Sequence, residues 1–211
     1  MRLVVRKKSL RRILRWAQRA LVACAVLALG YCGFVLVDAW LFQKRESRDL
    51  ERLLEDRRAA SRGIPQIGSP TSPQGLPATA TGGLIGRIEI PRLGISAVVA
   101  EGIDNTTLRR AVGHIPGTGL PGQPGNVALA GHRDTFFRPL RNIHQNDVIT
   151  LTTLQGEYRY RVVSARVVSA YDVAVLDPSA NEVLTLVTCY PFDFVGSAPN
   201  RFIVRAERLT G

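Results

Sequence analysis

The sequence lacks the residue patterns on which several common enzyme classes depend. It has no Cys-x-x-Cys pair, no His-Glu-x-x-His, no glycine-rich phosphate loop and no acidic cluster with metal-ligand spacing. Its three lysines, Lys7, Lys8 and Lys44, all precede residue 84, so residues 84–211 cannot use a Ser–Lys or Schiff-base mechanism. We therefore expect neither a metal nor another cofactor.

Acidic residues are absent from residues 1–19, which carry eight of the chain's basic residues and most of its net charge of +11. The next 18 residues, 20–37, are uncharged and rich in Ala, Val and Leu, and Trp40, Leu41 and Phe42 follow shortly after them. A helix of about 20 apolar residues crosses a membrane core about 30 Å thick, and flanking basic residues stay in the cytoplasm. This pattern predicts a cytoplasmic basic tail (1–19), a single-pass anchor in the cell membrane (20–42) and an extracytoplasmic remainder.

Other interpretations of the N-terminal segment are weaker. A nucleic-acid-binding arm is not expected, because the apolar run directly follows the basic residues. A cleaved signal peptide needs small residues at the cleavage site, and Val37-Asp38-Ala39 is a poor one. The lipoprotein-like box ending at Cys24 is preceded by too short an apolar region, so Cys24 and Cys32 are interpreted as small apolar residues of a retained anchor.

Residues 43–83 form the predicted juxtamembrane region. Residues 43–60 mix charges with Leu50, Leu53 and Leu54, which predicts a short solvated helix with too few heptads for a coiled coil. Residues 61–83 contain four prolines and five glycines without an apolar period, which is typical of a linker. We expect this linker to let the following domain stand away from the bilayer.

Residues 84–211 have the texture of a mainly β domain, with short β-branched runs between Gly, Pro, Asn and Asp turns. The predicted helices are short, at 105–110 and 137–143. The number and spacing of the strands predict a sandwich or small barrel. The predicted strands are 86–90, 97–100, 127–130, 148–151, 158–169, 183–188 and 202–207.

Cys189 is the only cysteine of this domain, so it has no disulfide partner there. An unpaired thiol outside the cell is open to oxidation, which indicates a use for it, although a buried inert thiol is the alternative. The strands before Cys189 and after Arg201 can pair as a hairpin, which would place these two residues opposite each other. A guanidinium cannot act as a base, but it can stabilise a developing oxyanion.

Histidine is also scarce, and His132 is the best candidate for proton transfer among three. It follows an apolar strand in Gly-His-Arg-Asp, whereas His114 and His144 are predicted to lie in loops. Asp134 either orients His132 or is a surface acid that follows the strand.

These residues resemble the signatures of a known family. Residues 126–132 (Asn-Val-Ala-Leu-Ala-Gly-His) and 185–189 (Thr-Leu-Val-Thr-Cys), followed by Arg201, are similar to the motifs of bacterial sortases. The segments Thr-Cys-Tyr-Pro-Phe, Ala-Pro and Arg-Phe-Ile-Val look most like class D. The resemblance covers residues 84–211, which are therefore identified as a sortase catalytic domain.

The resemblance implies an eight-stranded sortase-type β-barrel with short helices and a cysteine transpeptidase activity. Cys189 would attack the Thr–Gly or Thr–Ala bond of a Leu-Pro-x-Thr-type signal, His132 would move the protons, and Arg201 would hold the substrate and the oxyanion. Thr188 would help to shape the substrate pocket. Phe192 and Phe194 would contact the Leu-Pro of the signal, although ordinary packing is an equal alternative.

The implied partners are proteins with a C-terminal sorting signal and an amine acceptor on peptidoglycan or a pilin. Two enzymatic alternatives remain: a hydrolytic cysteine protease, and an L,D-transpeptidase-like peptidoglycan enzyme, whose His, Cys and Arg lie closer together in sequence than Cys189 and Arg201. A non-catalytic envelope scaffold is the third alternative, against which the presence of His132, Cys189 and Arg201 argues.

Overall fold

The computed structural model describes residues 7–62, 83–194 and 196–209. The chain divides into two compact units, one up to Leu41 and one from Phe42 onward, and a helix, α1 (Lys7–Arg62), contributes to both. In the first unit the large apolar side chains are exposed, Leu21 and Leu27 among them. By length and composition, this part of the helix is able to cross a membrane.

The second unit contains a closed barrel of eight strands within the described residues, as predicted. Around the barrel the order is β1-β2-β3-β4-β7-β8-β6-β5. The strands are β1 (Leu84–Ile90), β2 (Ile95–Glu101), β3 (Val112–His114), β4 (Asn126–Ala130), β5 (Val148–Thr153), β6 (Glu157–Ser169), β7 (Val183–Tyr190) and β8 (Asn200–Arg208). A six-residue helix, α2 (Asn105–Arg110), and 3-10 helices at Pro91–Leu93, Arg138–Asn142 and Val173–Leu176 complete it.

The core of the barrel follows from the alternation of the strands. In β1, Ile88 and Ile90 point inward and are fully buried, while the intervening Glu89 lies on the outside. Ile149 and Leu151 of β5 repeat the pattern on the neighbouring strand. Successive side chains of a strand point to opposite faces, so this alternation fills the barrel interior with aliphatic side chains.

Seven of the eight strands were predictable, and β3 was not. It has only three residues, which is too short for an alternating pattern, and glycine and proline follow it closely. β3 nevertheless joins β2 in parallel and β4 in antiparallel pairing. Helix α2 begins and ends as predicted, because Asp104 caps the backbone N–H groups of Thr106 and Thr107.

The part of α1 that belongs to the second unit lies against the barrel. This differs from the prediction of a solvated helix. Leu50 is 1% exposed, and Glu51 forms an ion pair of 2.9 Å with Arg87 of β1. Gln43 accepts a hydrogen bond of 2.9 Å from the backbone N–H of Val98. The predicted solvated helix is therefore a docked one. Residues 63–82 of the predicted linker lie outside the described residues.

The reason for this docking is an apolar outer surface on β2. Val98 and Ala100 point away from the barrel interior, yet each is at most 2% exposed. They form a small second cluster with Ala111, against which Phe42 and Leu84 pack. An amphipathic pattern that mixes charges with leucine shows an apolar stripe, but it does not show which surface will cover that stripe.

Candidate active site

The candidate site lies where three neighbouring strands meet one edge of the barrel. β7 is parallel to β4 on one side and antiparallel to β8 on the other, so the ends of β4 and β7 and the start of β8 share this edge. The register pairs Cys189 of β7 with Arg201 of β8. It also pairs Ala130, the last residue of β4, with Val187, and His132 follows Ala130 by two residues as Cys189 follows Val187.

Cys189 and Arg201 form the cross-strand pair that the hairpin interpretation predicts. Residues directly opposite each other in an antiparallel pair have side chains on the same face of the sheet. Nη1 of Arg201 donates to the carbonyls of Ala198 (3.1 Å) and Asn200 (2.9 Å). Within the described residues its other three N–H groups have no partner, so they remain available to a carbonyl oxygen bound beside Cys189.

His132 is half-buried and follows the last residue of β4 by two positions. In the described part of the chain, no hydrogen bond joins its imidazole to Cys189 or to an acid. The Asp134 side chain is 73% exposed, and its carboxylate lies 3.7 Å from Nε of Arg133. Of the two interpretations of Asp134, the geometry favours the surface acid. Catalytic hydrogen bonds are often long in unliganded enzymes and shorten when substrate binds.

The other two histidines lie away from this edge. His144 is exposed in a loop, as predicted. The loop prediction for His114 is wrong, because this residue ends β3 and is 3% exposed. Its Nδ1 lies 2.8 Å from a carboxylate oxygen of Glu101, and its Nε2 lies 2.9 Å from the carbonyl of Gly119. A three-residue strand beside a turn explains why sequence reasoning missed a buried histidine there.

Thr188 connects the strands that carry His132 and Cys189. Its hydroxyl donates a hydrogen bond of 2.8 Å to the carbonyl of Gly131, and the residue is 2% exposed. The backbone N–H of Gly131 in turn donates to Val187 (3.1 Å). Direct contact of Thr188 with substrate stays a prediction, while the hydroxyl observed here fixes the spacing between β4 and β7.

The two predicted aromatic contacts differ in their surroundings. Phe192 packs edge-on against Phe202 and Tyr190, with ring centroids 5.3 and 6.0 Å apart, and it also contacts the core. Phe194 is 45% exposed, and the guanidinium of Arg133 lies 5.9 Å from its ring centroid. Phe194 is therefore the more accessible of the two, and a substrate contact of either ring stays a prediction.

Sequence reasoning missed Arg133, which directly follows His132. This arginine is 7% exposed and donates hydrogen bonds to two carbonyls of the segment between β7 and β8. The only signal in the sequence is its position between His132 and Asp134, which does not distinguish a buried arginine from a surface one. Among the described residues, no group of three or more His, Cys, Asp or Glu lies together as a metal site.

Chemically, the edge combines a thiol, an imidazole and a guanidinium. A nucleophile, a proton carrier and donors for a developing oxyanion are the components of acyl transfer. Cys189 lies on β7 and Arg201 on β8, while His132 follows β4, so the nucleophile is on the middle strand of the three.

Comparison with known proteins agrees with this chemistry. The sortase domain family model matches residues 88–209. Sortase D of Bacillus subtilis is 31% identical over 196 residues, which cover 90% of this chain and 96% of that protein. Sortase A of Listeria monocytogenes is 29% identical over 136 residues, or 60% of each chain.

Solved structures give the same result. A sortase D5 transpeptidase of Clostridium perfringens superposes with a TM-score of 0.64 at 25% identity, covering 80% of this chain and 99% of that one. Sortase C of the same species has a TM-score of 0.57 at 27% identity, covering 79% of this chain and 90% of the other. The expected likeness to class D is confirmed by these relatives.

Proposed function

The chain belongs to the sortase family and is a cysteine transpeptidase, and on that premise we propose that Cys189, His132 and Arg201 carry its reaction. The observation that supports these assignments is the register of three strands. It pairs Cys189 with Arg201, and His132 follows the end of β4, the parallel neighbour of β7, by two residues. His114 is buried and bonded to Glu101 and Gly119, and His144 is exposed in a loop, which favours His132 for the role.

In the first half of the proposed reaction, the Cys189 thiolate attacks the carbonyl carbon of the threonine in a Leu-Pro-x-Thr-type signal. The carbonyl π electrons move to oxygen, and N–H groups of Arg201 stabilise that charge. The C–N bond then breaks, and His132 gives a proton to the departing amine. A thioester on Cys189 and a released C-terminal fragment result.

In the second half, an amine attacks the thioester, His132 accepts the amine's proton, and the C–S bond breaks to restore the thiolate and the protonated imidazole. The family acts on proteins with sorting signals and transfers them to cell-wall or pilin amines, and we infer the same two classes of partner for this chain. Water in place of the amine would make the enzyme a hydrolase.

We also propose that residues 20–42 anchor the enzyme in the cell membrane with the N-terminus in the cytoplasm. Eight basic residues precede an uncharged run of 18, and this run belongs to an exposed helix of sufficient length. A substrate that is itself membrane-bound would then reach Cys189 by diffusion along the same surface. Protease accessibility of the barrel in intact cells tests this orientation, and a protected barrel would contradict it.

The reaction is tested with the full chain in detergent and a Leu-Pro-x-Thr-type peptide carrying a fluorophore and a quencher, with and without a short oligoglycine amine. We expect cleavage, a protein mass increased by the acyl fragment, and a ligated product when the amine is present. Replacing Cys189 with alanine should abolish all three. Cys24→Ala and Cys32→Ala are matched controls that should leave them unchanged.

Three results would separate the alternatives. Cleavage without ligation at saturating amine indicates a hydrolytic protease. Reaction with peptidoglycan peptides but not with the sorting peptide indicates an L,D-transpeptidase-like enzyme. Full activity of the Cys189→Ala variant would remove the assignment of the nucleophile.

A further inference from the structure

We propose that Arg133 is a positioning residue that holds the β7–β8 loop (described residues 191–194 and 196–199) in place as a wall of the substrate groove. The groove is that of the transpeptidase proposed above, on which this role of Arg133 rests. Among the described residues, Arg133 is the one arginine that is buried, at 7% exposure. Burying an arginine is unfavourable unless its charge and its N–H groups find partners.

The partners of Arg133 are almost all in the loop. Nη1 donates to the carbonyl of Pro191 (2.9 Å), Nη2 donates to the carbonyl of Gly196 (2.9 Å), and the ring of Phe194 lies 5.9 Å from the guanidinium. The acid next to it in sequence, Asp134, is 73% exposed and 3.7 Å away, so this ion pair contributes little. The guanidinium therefore binds mainly the backbone of the loop.

The loop has three other attachments. Phe192 packs against Tyr190 and Phe202, Arg201 donates to the carbonyl of Ala198, and the N–H of Ala170 donates to Pro199. The only regular structure within its described residues, 191–194 and 196–199, is a turn at Phe192 and Asp193. Arg133 adds hydrogen bonds to two carbonyls five residues apart, those of Pro191 and Gly196.

The position of Arg133 makes this contact relevant to function. It is the residue after His132, and its partner Pro191 lies two residues after Cys189. The guanidinium of Arg133 thus connects the segment that contains His132 with the loop that follows Cys189. If the loop is a wall of the groove, substrate binds only to the fraction of molecules in which the loop is in place, and the apparent affinity scales with that fraction.

The expected kinetic effect follows. In Arg133→Gln, we expect KM for the sorting peptide to rise about 10-fold or more, because two charge-assisted hydrogen bonds to the loop are lost. The value of kcat should change by less than about 3-fold, because bound substrate itself orders the loop. Arg133→Lys should give an intermediate KM, since an ammonium cannot span both carbonyls as a fork does. Arg138→Gln, an exposed arginine nearby, is the matched control for charge and should behave as wild type.

A second variant, Gly196→Ala, changes the loop and leaves Arg133 unchanged. Gly196 has a φ of +107°, a conformation that alanine adopts only with strain, while an added Cβ would meet nothing closer than 3.9 Å. Gly196→Ala should therefore displace the carbonyl that Arg133 binds. If both act through this contact, the KM of the double variant should be close to that of the worse single variant and not the product of the two effects.

Two further measurements distinguish positioning of the loop from a direct effect on the thiol. Amide hydrogen exchange of residues 190–199 should accelerate in Arg133→Gln, with exchange of the β7 and β8 strands unchanged. The pH profile of Cys189 alkylation by iodoacetamide should not move. A shifted alkylation profile, or a KM equal to wild type in Arg133→Gln and in Arg133→Lys, would overturn the proposal. If the wild-type chain does not cleave the peptide, the proposed function fails, and hydrogen exchange still decides whether Arg133 holds the loop.

Discussion

Gly131, the residue before His132, provides the sharpest test of how the imidazole is positioned. A Cβ added at Gly131 would lie 2.7, 2.9 and 3.0 Å from three ring atoms of Phe137. Ordinary carbon–carbon contacts are about 3.5–4.0 Å, so Gly131→Ala requires a displacement of about 1 Å. Phe137 is fully buried in the core and has no open space into which to move.

The displacement should be transmitted to His132. The backbone N–H of Phe137 donates to the carbonyl of His132 (3.1 Å), so the ring and the imidazole belong to one turn. Gly131 itself is held to β7 by Val187 and Thr188. A misplacement of about 1 Å in a catalytic group is able to lower activity about 10²-fold. Overpacking of this kind also costs about 1–3 kcal/mol, or roughly 2–4 °C in Tm per kcal/mol in a domain of this size.

The assay is kcat/KM with the sorting peptide, measured beside thermal unfolding of the full chain in detergent. We expect Gly131→Ala to lower both, and a second substitution, Phe137→Leu, to restore part of the activity because it removes the ring atoms that clash. Alkylation of Cys189 should remain close to wild type, since the thiol lies on another strand. A Gly131→Ala variant with wild-type kcat/KM and Tm would show that the contact with Phe137 does not position His132.

Three further predictions concern the surroundings of the site. Thr188→Val should cost about 1–3 kcal/mol because it leaves the buried carbonyl of Gly131 without its donor, and it should reduce peptide cleavage, whereas Thr188→Ser should retain both; equal Tm values for the two variants would contradict this. Leu50→Ala should lower the Tm of the barrel by the equivalent of about 2–5 kcal/mol because the side chain is 1% exposed, and an unchanged Tm would show that this part of α1 does not stabilise the barrel. The hydrogen bond from Arg92 holds the pKa of Asp147 below its ordinary value of 3.8. The Arg92–Asp147 interaction therefore contributes to stability above about pH 4, and this contribution is lost as pH falls through the lowered pKa of Asp147. Asp147→Asn should make the Tm fall less steeply with decreasing pH than in the wild type. A Tm–pH curve parallel to that of the wild type would contradict this.

Much of the site was predictable because its residues stand at the ends of alternating strands. Val183 to Cys189 and the segment after Arg201 each have a β pattern, and the turn residues between them indicate a hairpin. The pairing of Cys189 with Arg201 follows from that hairpin. Class-specific motifs then identified the family, as the comparisons confirm.

The parts that sequence reasoning missed depend on contacts between segments distant in the chain. Arg133 donates to carbonyls 58 and 63 residues away. Because every residue has a backbone carbonyl, the sequence does not show which carbonyls an arginine will bind. Phe42, at the start of the docked part of α1, packs against a surface of β2 that is itself apolar on its outer face. The burial of His114 depends on β3, whose three residues are too few to show a period. In each case the local sequence does not show which distant segment the residue will contact.

The position of the nucleophile on the middle strand allows the two sides of the site to be perturbed separately. His132 is reached through β4 and the turn ending at Phe137, whereas Arg201 is reached through β8 and the loop before it. A displaced imidazole should slow proton transfer in the bound complex and so lower kcat. A displaced loop should lower the fraction of molecules that can bind and so raise KM. We therefore expect Gly131→Ala to lower kcat and Arg133→Gln to raise KM, although the two residues are only two positions apart in sequence. If both variants change kcat and KM in the same proportion, the loop and the imidazole move as one unit.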